Sequence, residues 1–404
     1  MELDAIYESV VGTSLVETTG LFNDTIKNHE GTLGDIWPIA VTLPALTMLQ
    51  LALVDALSAV GVTPDIVIGH SAGETSVLAT SGAGSKAMAL EVAIARGRAF
   101  TIVENDGGTM AAVSCSTEHA LSIVEEVHRE LGEGVLTIGC YNAQNAVTLS
   151  GVETHIDAAV VKASTHGIFA RKLRTRVPVH SSLMNHCAED FKTLMAEVFA
   201  RHPTTAPAIE TYSSTTGEAF TCSFDSAYFW DGTIGPVRFH EAISALISRH
   251  SVATFVEIGP HPALSSYLMD YGTASTVICP LRRPRAPDPG IEVREFIGAL
   301  GKIITSGHNC VNFDIIYPKS IQHEKRQRVK APPYPFVPKV IPWAVQTAEI
   351  ERQRQKRNGP MNYPQLAMNV KTHPGLADHI IKGEPIMPAA GFIDMVSRRL
   401  PTVE

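Results

Sequence analysis

Six residues, Gly69-His70-Ser71-Ala72-Gly73-Glu74, set directly after the apolar run Pro64-Asp65-Ile66-Val67-Ile68, constrain this chain more than any other stretch. The run reads as a short buried strand, and a helix is expected from about residue 72 to 80. Glycines on either side of a serine let strand and helix approach closely. The tight turn between them pushes the Ser71 hydroxyl out at a helix N-terminus, where backbone N–H groups can hold a developing oxyanion. A G-x-S-x-G turn also occurs as plain architecture; the strand before it and the helix after it are what point to a nucleophile.

The surrounding sequence alternates strands and helices as an α/β chain does. A helix is expected from residue 44 to about 60, with Leu46, Leu49, Leu53 and Leu57 at helical spacing and Pro44 in its first turn. Ser85 is placed to cap a further helix to about residue 103, with Arg96 in its second half. From Gly108 the order becomes strand, helix, strand, strand, helix, strand, over 110–114, 118–131, 136–140, 146–150, 155–164 and 167–173. That βαββαβ order suggests a small ferredoxin-like insert at about 108–173. The chain then returns through helix 182–200, strand 211–214, helix 236–248 and strand 252–258. Residues 1–35 read as a helical lead-in with a flexible stretch near 28–34. Arg282 to Gly290, rich in Pro and Arg, carries a linker signal, and one helix is expected over 292–306. Residues 345–365 are charged and rich in Gln and Arg, as in a solvated segment.

Bulk properties exclude several function classes. With 45% hydrophobic and 18% charged residues the composition is that of an ordinary soluble α/β protein. A net charge of −8 gives nucleic-acid binding no electrostatic support. Six scattered cysteines without a C-x-x-C pair suggest neither a disulfide framework nor a zinc site, as in a reducing cytoplasm. Neither a signal peptide nor an apolar stretch long enough to span a bilayer is read, so no membrane partner is expected.

Gly-His-Ser-x-Gly-Glu resembles the nucleophile signature of the malonyl-type acyltransferases of fatty-acid and polyketide synthases. Five further blocks resemble the same family in the same order: Ala95-Arg96-Gly97-Arg98-Ala99-Phe100; Cys140-Tyr141-Asn142-Ala143 with Val147-Thr148-Leu149-Ser150-Gly151; Val177-Pro178-Val179-His180-Ser181; Tyr228-Phe229-Trp230 with Pro236-Val237-Arg238-Phe239; and Phe255 to Pro262. Together they cover roughly residues 40–280, and their wording is most like iterative fungal multidomain polyketide synthases.

The resemblance implies a hydrolase-like α/β large subdomain with the insert as a small lid. It implies that Ser71 attacks malonyl-CoA, His180 acts as general base and acid, and Arg96 clamps the malonyl carboxylate. No bound cofactor or metal is implied; the partners are a coenzyme A thioester, an acyl carrier protein bearing phosphopantetheine, and other synthase domains. The Ala72 N–H would hold the oxyanion, Asn142 would orient the active-site histidine or contact substrate, and Gln50 would line the pocket. His70, His186, His240 and His261 are left as structural, with His261 also read as a possible pocket wall, and Arg98 as a surface residue. Arg171, Lys172, Arg174 and Arg176 read either as an exposed strand face or as a landing surface for coenzyme A phosphates or an acidic carrier protein.

Three departures accompany the resemblance. The family's earlier strand and Gly-Gln-Gly turn, source of a second oxyanion donor, do not precede Met1, which implies an N-terminally truncated domain. Gly232 stands where the family has Asn. Val177-Pro178-Val179 matches neither tripeptide associated with malonyl or methylmalonyl choice. Downstream, Tyr334-Pro335-Phe336 resembles the linker that wraps back over acyltransferase domains. His379, Gly383 and Pro388 fit the H-x3-G-x4-P pattern of dehydratase or product-template domains, in which His379 would be the base of a partial hot-dog segment. The expected organisation is an acyltransferase domain over 1–280, a linker over 281–345, and a mobile segment with a dehydratase-like stub over 346–404. Two rival readings stay open: a serine esterase or thioesterase, and an inactive synthase fragment.

Overall fold

The computed structural model describes residues 2–22, 33, 35–250, 254–269, 271, 276–284, 288–316, 378–381 and 383–389. The chain divides into two compact units, Met1–Lys325 and Arg326–Glu404. The stretch near 28–34, the Tyr334-Pro335-Phe336 motif and the charged stretch 345–365 lie outside the described residues, Leu33 apart.

In the first unit, helices α1 (Glu2–Val11) and α2 (Leu15–Thr19) open the chain. Asp4 joins them, accepting from the Ser14 hydroxyl at 2.6 Å and the Leu15 N–H at 2.9 Å. Helix α3 spans Ile39–Ala59, starting five residues before the expected position. The Val41 and Thr42 N–H groups bond the Pro38 carbonyl, so Pro38 opens the helix and Pro44 sits inside it. By length and composition α3 is apolar enough to cross a membrane, which corrects the expectation that no such stretch exists. Its side chains serve two hydrophobic clusters of this unit: Leu43, Met48 and Leu51 pack with Leu78 and Leu90, while Leu53 and Leu57 pack with Ile278 and Leu300.

Strand β1 (Ile66–Ile68) leads through a 3-10 turn, Ser71–Gly73, into α4 (Glu74–Thr80). Ser85 accepts the Met88 N–H at 3.0 Å and caps α5 (Lys86–Phe100), which is buried over most of its length. Then comes the insert: β2 (Gly108–Val113), α6 (Thr117–Leu131), β3 (Leu136–Ala143), β4 (Ala146–Val152), α7 (Glu153–Thr165) and β5 (Ala170–Lys172). Its four strands form one antiparallel sheet in the order β3-β4-β2-β5.

The period of two along β2 divides its side chains between two cores. Ala111 and Val113 face Ile123, Val127, Ile156 and Ala159 of the insert helices, whereas Met110 joins a second cluster with Val237, Phe239 and Leu268. Strict alternation would send Cys140 to the side of Leu136 and Ile138. The β3–β4 register shifts between Ile138 and Cys140, and Cys140 joins Met110 instead.

After the insert come a 3-10 turn (Ser182–Cys187), α8 (Ala188–Arg201), β6 (Glu210–Ser213), β7 (Glu218–Ala219), α9 (Ser226–Ile234) and α10 (Phe239–Arg249). The helix expected from 236 begins only at Phe239, because Val237 is engaged by β3 through paired backbone bonds. β1 pairs parallel with β6, and β6 antiparallel with β7. β8 (Thr254–Val256) pairs parallel with β9 (Thr276–Ile278), with α11 (Ser265–Met269) between them. Helix α12 (Ile291–Thr305), within the stretch read as linker, buries Ala299, Leu300 and Ile303 against Leu53 and Leu57.

In the second unit the described residues form a two-stranded antiparallel hairpin, Ile380–Ile381 with Glu384–Pro385. His379 is half-buried there, and its Nδ1 lies 2.8 Å from the Ile386 carbonyl.

Candidate active site

The elbow forms as the residue types dictate. His70 is extended at φ −129°, and Ser71 turns to φ +53°, a left-handed conformation that non-glycine residues rarely hold. Among the described residues only Phe22, Ser71 and His180 share that trait without being glycine. The two glycines of the motif are not equivalent. A Cβ on Gly69 would fall 2.6 Å from the Glu74 nitrogen and 2.7 Å from its Cα, so the return of helix on strand requires glycine there. At Gly73 the nearest such atom, Gln50 Nε2, is 4.0 Å away.

The structure brings His180 to Ser71 across 109 residues, with His180 Nε2 2.7 Å from Ser71 Oγ. His180 is 2% exposed, and its Nδ1 lies 3.0 Å from the Gly235 carbonyl. A carbonyl only accepts, so Nδ1 carries the proton and Nε2 is left to accept from Ser71. Burial pushes the His180 imidazole down to about 3, the Gly235 carbonyl pulling the other way and the His70 and Arg96 charges adding to the fall. The arrangement is thus a hydroxyl, an unprotonated base and a backbone carbonyl that fixes the tautomer. It can generate an alkoxide-like nucleophile without a carboxylate in the relay.

Arg96 reaches the same pocket from α5. It is 4% exposed, its guanidinium lies 5.7 Å from the Phe100 ring and 5.9 Å from the Phe229 ring, and Nη1 donates to Thr75 Oγ1 at 2.7 Å. Nε is buried without a partner among the described residues. Burial draws Arg96 down to about 10, opposed by the negative charge of Glu74. An orphaned donor on a buried cation is costly, and a ligand carboxylate would satisfy it. Ser71, Glu74, Arg96, Tyr228 and Phe229 line one cleft, with Gly232 in its wall.

The sequence marks Glu74 only by its place in the motif. It is 4% exposed; Oε1 accepts from the Ser214 N–H at 2.7 Å and the Ser214 hydroxyl at 2.8 Å, and Oε2 from the Tyr228 hydroxyl at 2.8 Å. Burial raises its carboxyl above the ordinary range while these three donors pull it back. Glu74 thereby ties the start of α4 to the end of β6 and to α9. An acid directly after the elbow is its only mark in the sequence.

The other expected residues are placed as follows. Asn142 does not meet His180: its Oδ1 lies 2.7 Å from His70 Nε2, and its Nδ2 donates to Thr148 Oγ1 at 3.0 Å. That corrects the orienting role toward the active-site histidine, because His180 takes the Gly235 carbonyl instead. Gln50 is engaged by Ser76 at 2.6 Å and by the Ile258 carbonyl at 3.3 Å, beside the elbow but outside the cleft lining. Ala72 occupies the 3-10 turn directly after Ser71. Arg98 is exposed and donates to the Val10 carbonyl at 3.3 Å. His240 bonds the Tyr271 hydroxyl, and His261 accepts the Arg283 N–H at 3.1 Å. His261 is exposed and away from the cleft, so the pocket-wall reading does not hold. Lys172 is neutralised by Glu153 and Asp157 at 2.6 and 2.8 Å, and Arg176 meets Glu104 at 3.2 Å. Arg171 and Arg174 are exposed.

Comparison with known proteins agrees with this geometry. Residues 11–309 match the acyl transferase domain family. The chain is 41% identical over 401 residues to the highly reducing polyketide synthase stpks1 of Strobilurus tenacellus, covering 98% of this chain and 14% of that synthase. It is 28% identical over 382 residues to the low-reducing polyketide synthase drtA of Aspergillus calidoustus, covering 87% of this chain and 16% of the synthase. The chain therefore spans about a seventh of the length of these curated relatives. Among solved structures, the acyltransferase domain from the second module of the salinomycin polyketide synthase superposes with a TM-score of 0.65 at 26% identity, over 83% of this chain and 72% of that one. The malonyl CoA-acyl carrier protein transacylase of Clostridium perfringens shares the fold, with a TM-score of 0.60 at 24% identity over 75% and 90% of the two chains. With a serine that lines one cleft with a buried arginine and is paired with a histidine behind it, this chain belongs to the acyl transferase domain family and is an acyltransferase domain of the polyketide-synthase kind.

Proposed function

We propose that the chain moves a malonyl group from coenzyme A to the phosphopantetheine thiol of an acyl carrier protein by way of Ser71. The observation that carries this reading is the unpartnered Nε of buried Arg96 in the cleft that also holds Ser71. A carboxylate seated on Arg96 leaves the thioester end of a three-carbon acyl group to face the serine. His180 takes the Ser71 proton as Oγ bonds the thioester carbon, and the Ala72 N–H meets the developing oxyanion. The carbon–sulfur bond then breaks and the coenzyme A sulfur takes that proton from His180. The carrier's thiol next gives its proton to His180 and attacks the acyl carbon; the bond from that carbon to Ser71 Oγ breaks, and Oγ takes the proton back from His180. No bound cofactor takes part.

In this reading the insert over about 108–173 is a ferredoxin-like lid on a hydrolase-like subdomain, and the acyltransferase domain runs over 1–280. Residues 281–345 link it to a dehydratase-like hot-dog segment whose base is His379. Arg171 and Arg174 offer positive charge to coenzyme A phosphates or to an acidic carrier protein, and the other synthase domains are partners in the cytoplasm. The test compares malonyl-CoA with acetyl-CoA as acyl donors to Ser71. Wild type is expected to prefer malonyl-CoA, and Arg96→Ala to lose about tenfold or more of that preference. An unchanged preference in a folded Arg96→Ala protein refutes the assignment.

A further inference from the structure

Strand β3 meets the Ser71–His180 pair at two points, and both are breaks in its own ladder. Pairing with β4 runs through Leu136, Thr137, Ile138, Cys140, Tyr141 and Ala143, and skips only Gly139 and Asn142 within that run. Irregularities of this kind re-aim residues out of the pleat. Gly139 is pressed against the base: a Cβ there would lie 3.2 Å from the His180 Cβ and 3.1 Å from the Ser150 Cβ. Its carbonyl accepts the Val237 N–H at 2.8 Å, and the Tyr141 N–H donates to the Val237 carbonyl at 2.8 Å. Val237 is two residues past Gly235, whose carbonyl holds His180 Nδ1, and the intervening Pro236 is stiff. Asn142, 2% exposed, bonds the residue that precedes the nucleophile. Because its amide nitrogen donates to Thr148, its oxygen faces His70, so His70 Nε2–H is the donor. The His70 ring also meets Phe239, two residues beyond Val237, in a T-shaped contact with ring centroids 5.1 Å apart.

We propose that β3 is the strut that sets the separation of Ser71 and His180, and that Asn142 and His70 are positioning residues acting as its polar clasp on the elbow. Neither side chain lines the cleft. The clasp holds the left-handed Ser71 turn at one end of the strut, while the Gly139–Val237 pairing holds the carbonyl that orients His180 at the other. A shift of an ångström in such a pair costs about a hundredfold in rate.

The proposal rests on the acyl-transfer reading only for the choice of acyl donor, so its test uses two probes on the full chain. One is a fluorophosphonate that labels nucleophilic serines, the other malonyl-CoA. Asn142→Ala and His70→Ala are each expected to slow labelling of Ser71 by about 10- to 100-fold, with half-saturating probe concentration unchanged. The double variant is expected to be no slower than the slower single one, since both remove one bond. His70→Gln, whose amide nitrogen can take the place of Nε2, is expected within about threefold of wild type. Melting curves check folding; should Asn142→Ala fail to fold, Asn142→Asp retains the acceptor and is expected within about threefold. Single alanine variants within twofold of wild type, multiplying losses in the double variant, or a folded His70→Gln as slow as His70→Ala would each overturn the strut. So would wild-type Ser71 that reacts with neither probe. Labelling by fluorophosphonate without malonylation would overturn the malonyl reading and leave the strut standing.

Discussion

Acylation of Ser71 should proceed almost unchanged from about pH 7.5 down to about pH 5.5, and the reason is the burial of His180. An imidazole in water titrates near 6.5, so at about pH 5.5 roughly nine-tenths of it is protonated and unable to accept the serine proton. Burial holds His180 at about 3. At that value less than about 1% is protonated at pH 5.5, and the two cases differ about tenfold in rate. The assay is quench-flow at saturating malonyl-CoA with acyl-enzyme read by intact mass. A tenfold fall with a midpoint near 6.5 refutes the buried, neutral base. The same burial has a thermodynamic consequence whose sign is fixed. The folded value lies below the unfolded one, so the unfolded chain binds the extra proton between about pH 6.5 and 3, and stability is lost as pH falls through that window. At about pH 5.5 the loss is only about 1.4 kcal/mol, small beside the stability of a typical domain, so the chain remains folded during the assay. His180→Gln should abolish acylation and remove this part of the pH dependence of urea unfolding.

Three further outcomes follow from the site. Arg96→Lys keeps a positive charge but loses the planar fork and its free Nε, and should raise half-saturating malonyl-CoA about tenfold or more; an unchanged value in steady-state kinetics contradicts a bidentate clamp. Glu74→Gln turns an amide N–H₂ toward groups that now donate to a carboxylate, and should cost about 2 kcal/mol in urea unfolding, with an unchanged midpoint counting against the three-donor anchor. Gly69→Ala should cost more than about 2 kcal/mol because its Cβ meets backbone, whereas Gly73→Ala should stay within about 0.5 kcal/mol and keep Ser71 reactive; equal effects on melting and labelling would contradict the close-approach account.

The elbow and the βαββαβ insert were legible because each rests on local signals: a run of apolar residues into Gly-x-Ser-x-Gly, and hydrophobic period switching between two and 3.6. Ser71 followed from that pattern, and His180 and Arg96 from the resemblance. The partners of these residues were not legible. Gly235 serves through its carbonyl, which every residue possesses, so no residue type announces it. Asn142 meets His70 rather than His180 because a register shift in β3 turns it out of the ladder, and such shifts leave no composition mark. Pro44 read as a helix start but lies within α3, since Pro38 takes the first turn. A start at Pro44 omits the five residues from Ile39 to Leu43, which lengthen the apolar run of α3.

The central claim is that Ser71 carries the acyl group. Intact-protein mass measurement after brief exposure to malonyl-CoA, followed by peptide mapping and then by addition of a phosphopantetheine-bearing carrier protein, tests it most directly. The account predicts one malonyl adduct, mapped to Ser71, absent in Ser71→Ala, and discharged onto the carrier. An adduct that persists in Ser71→Ala, or a folded wild-type chain that takes none, contradicts it.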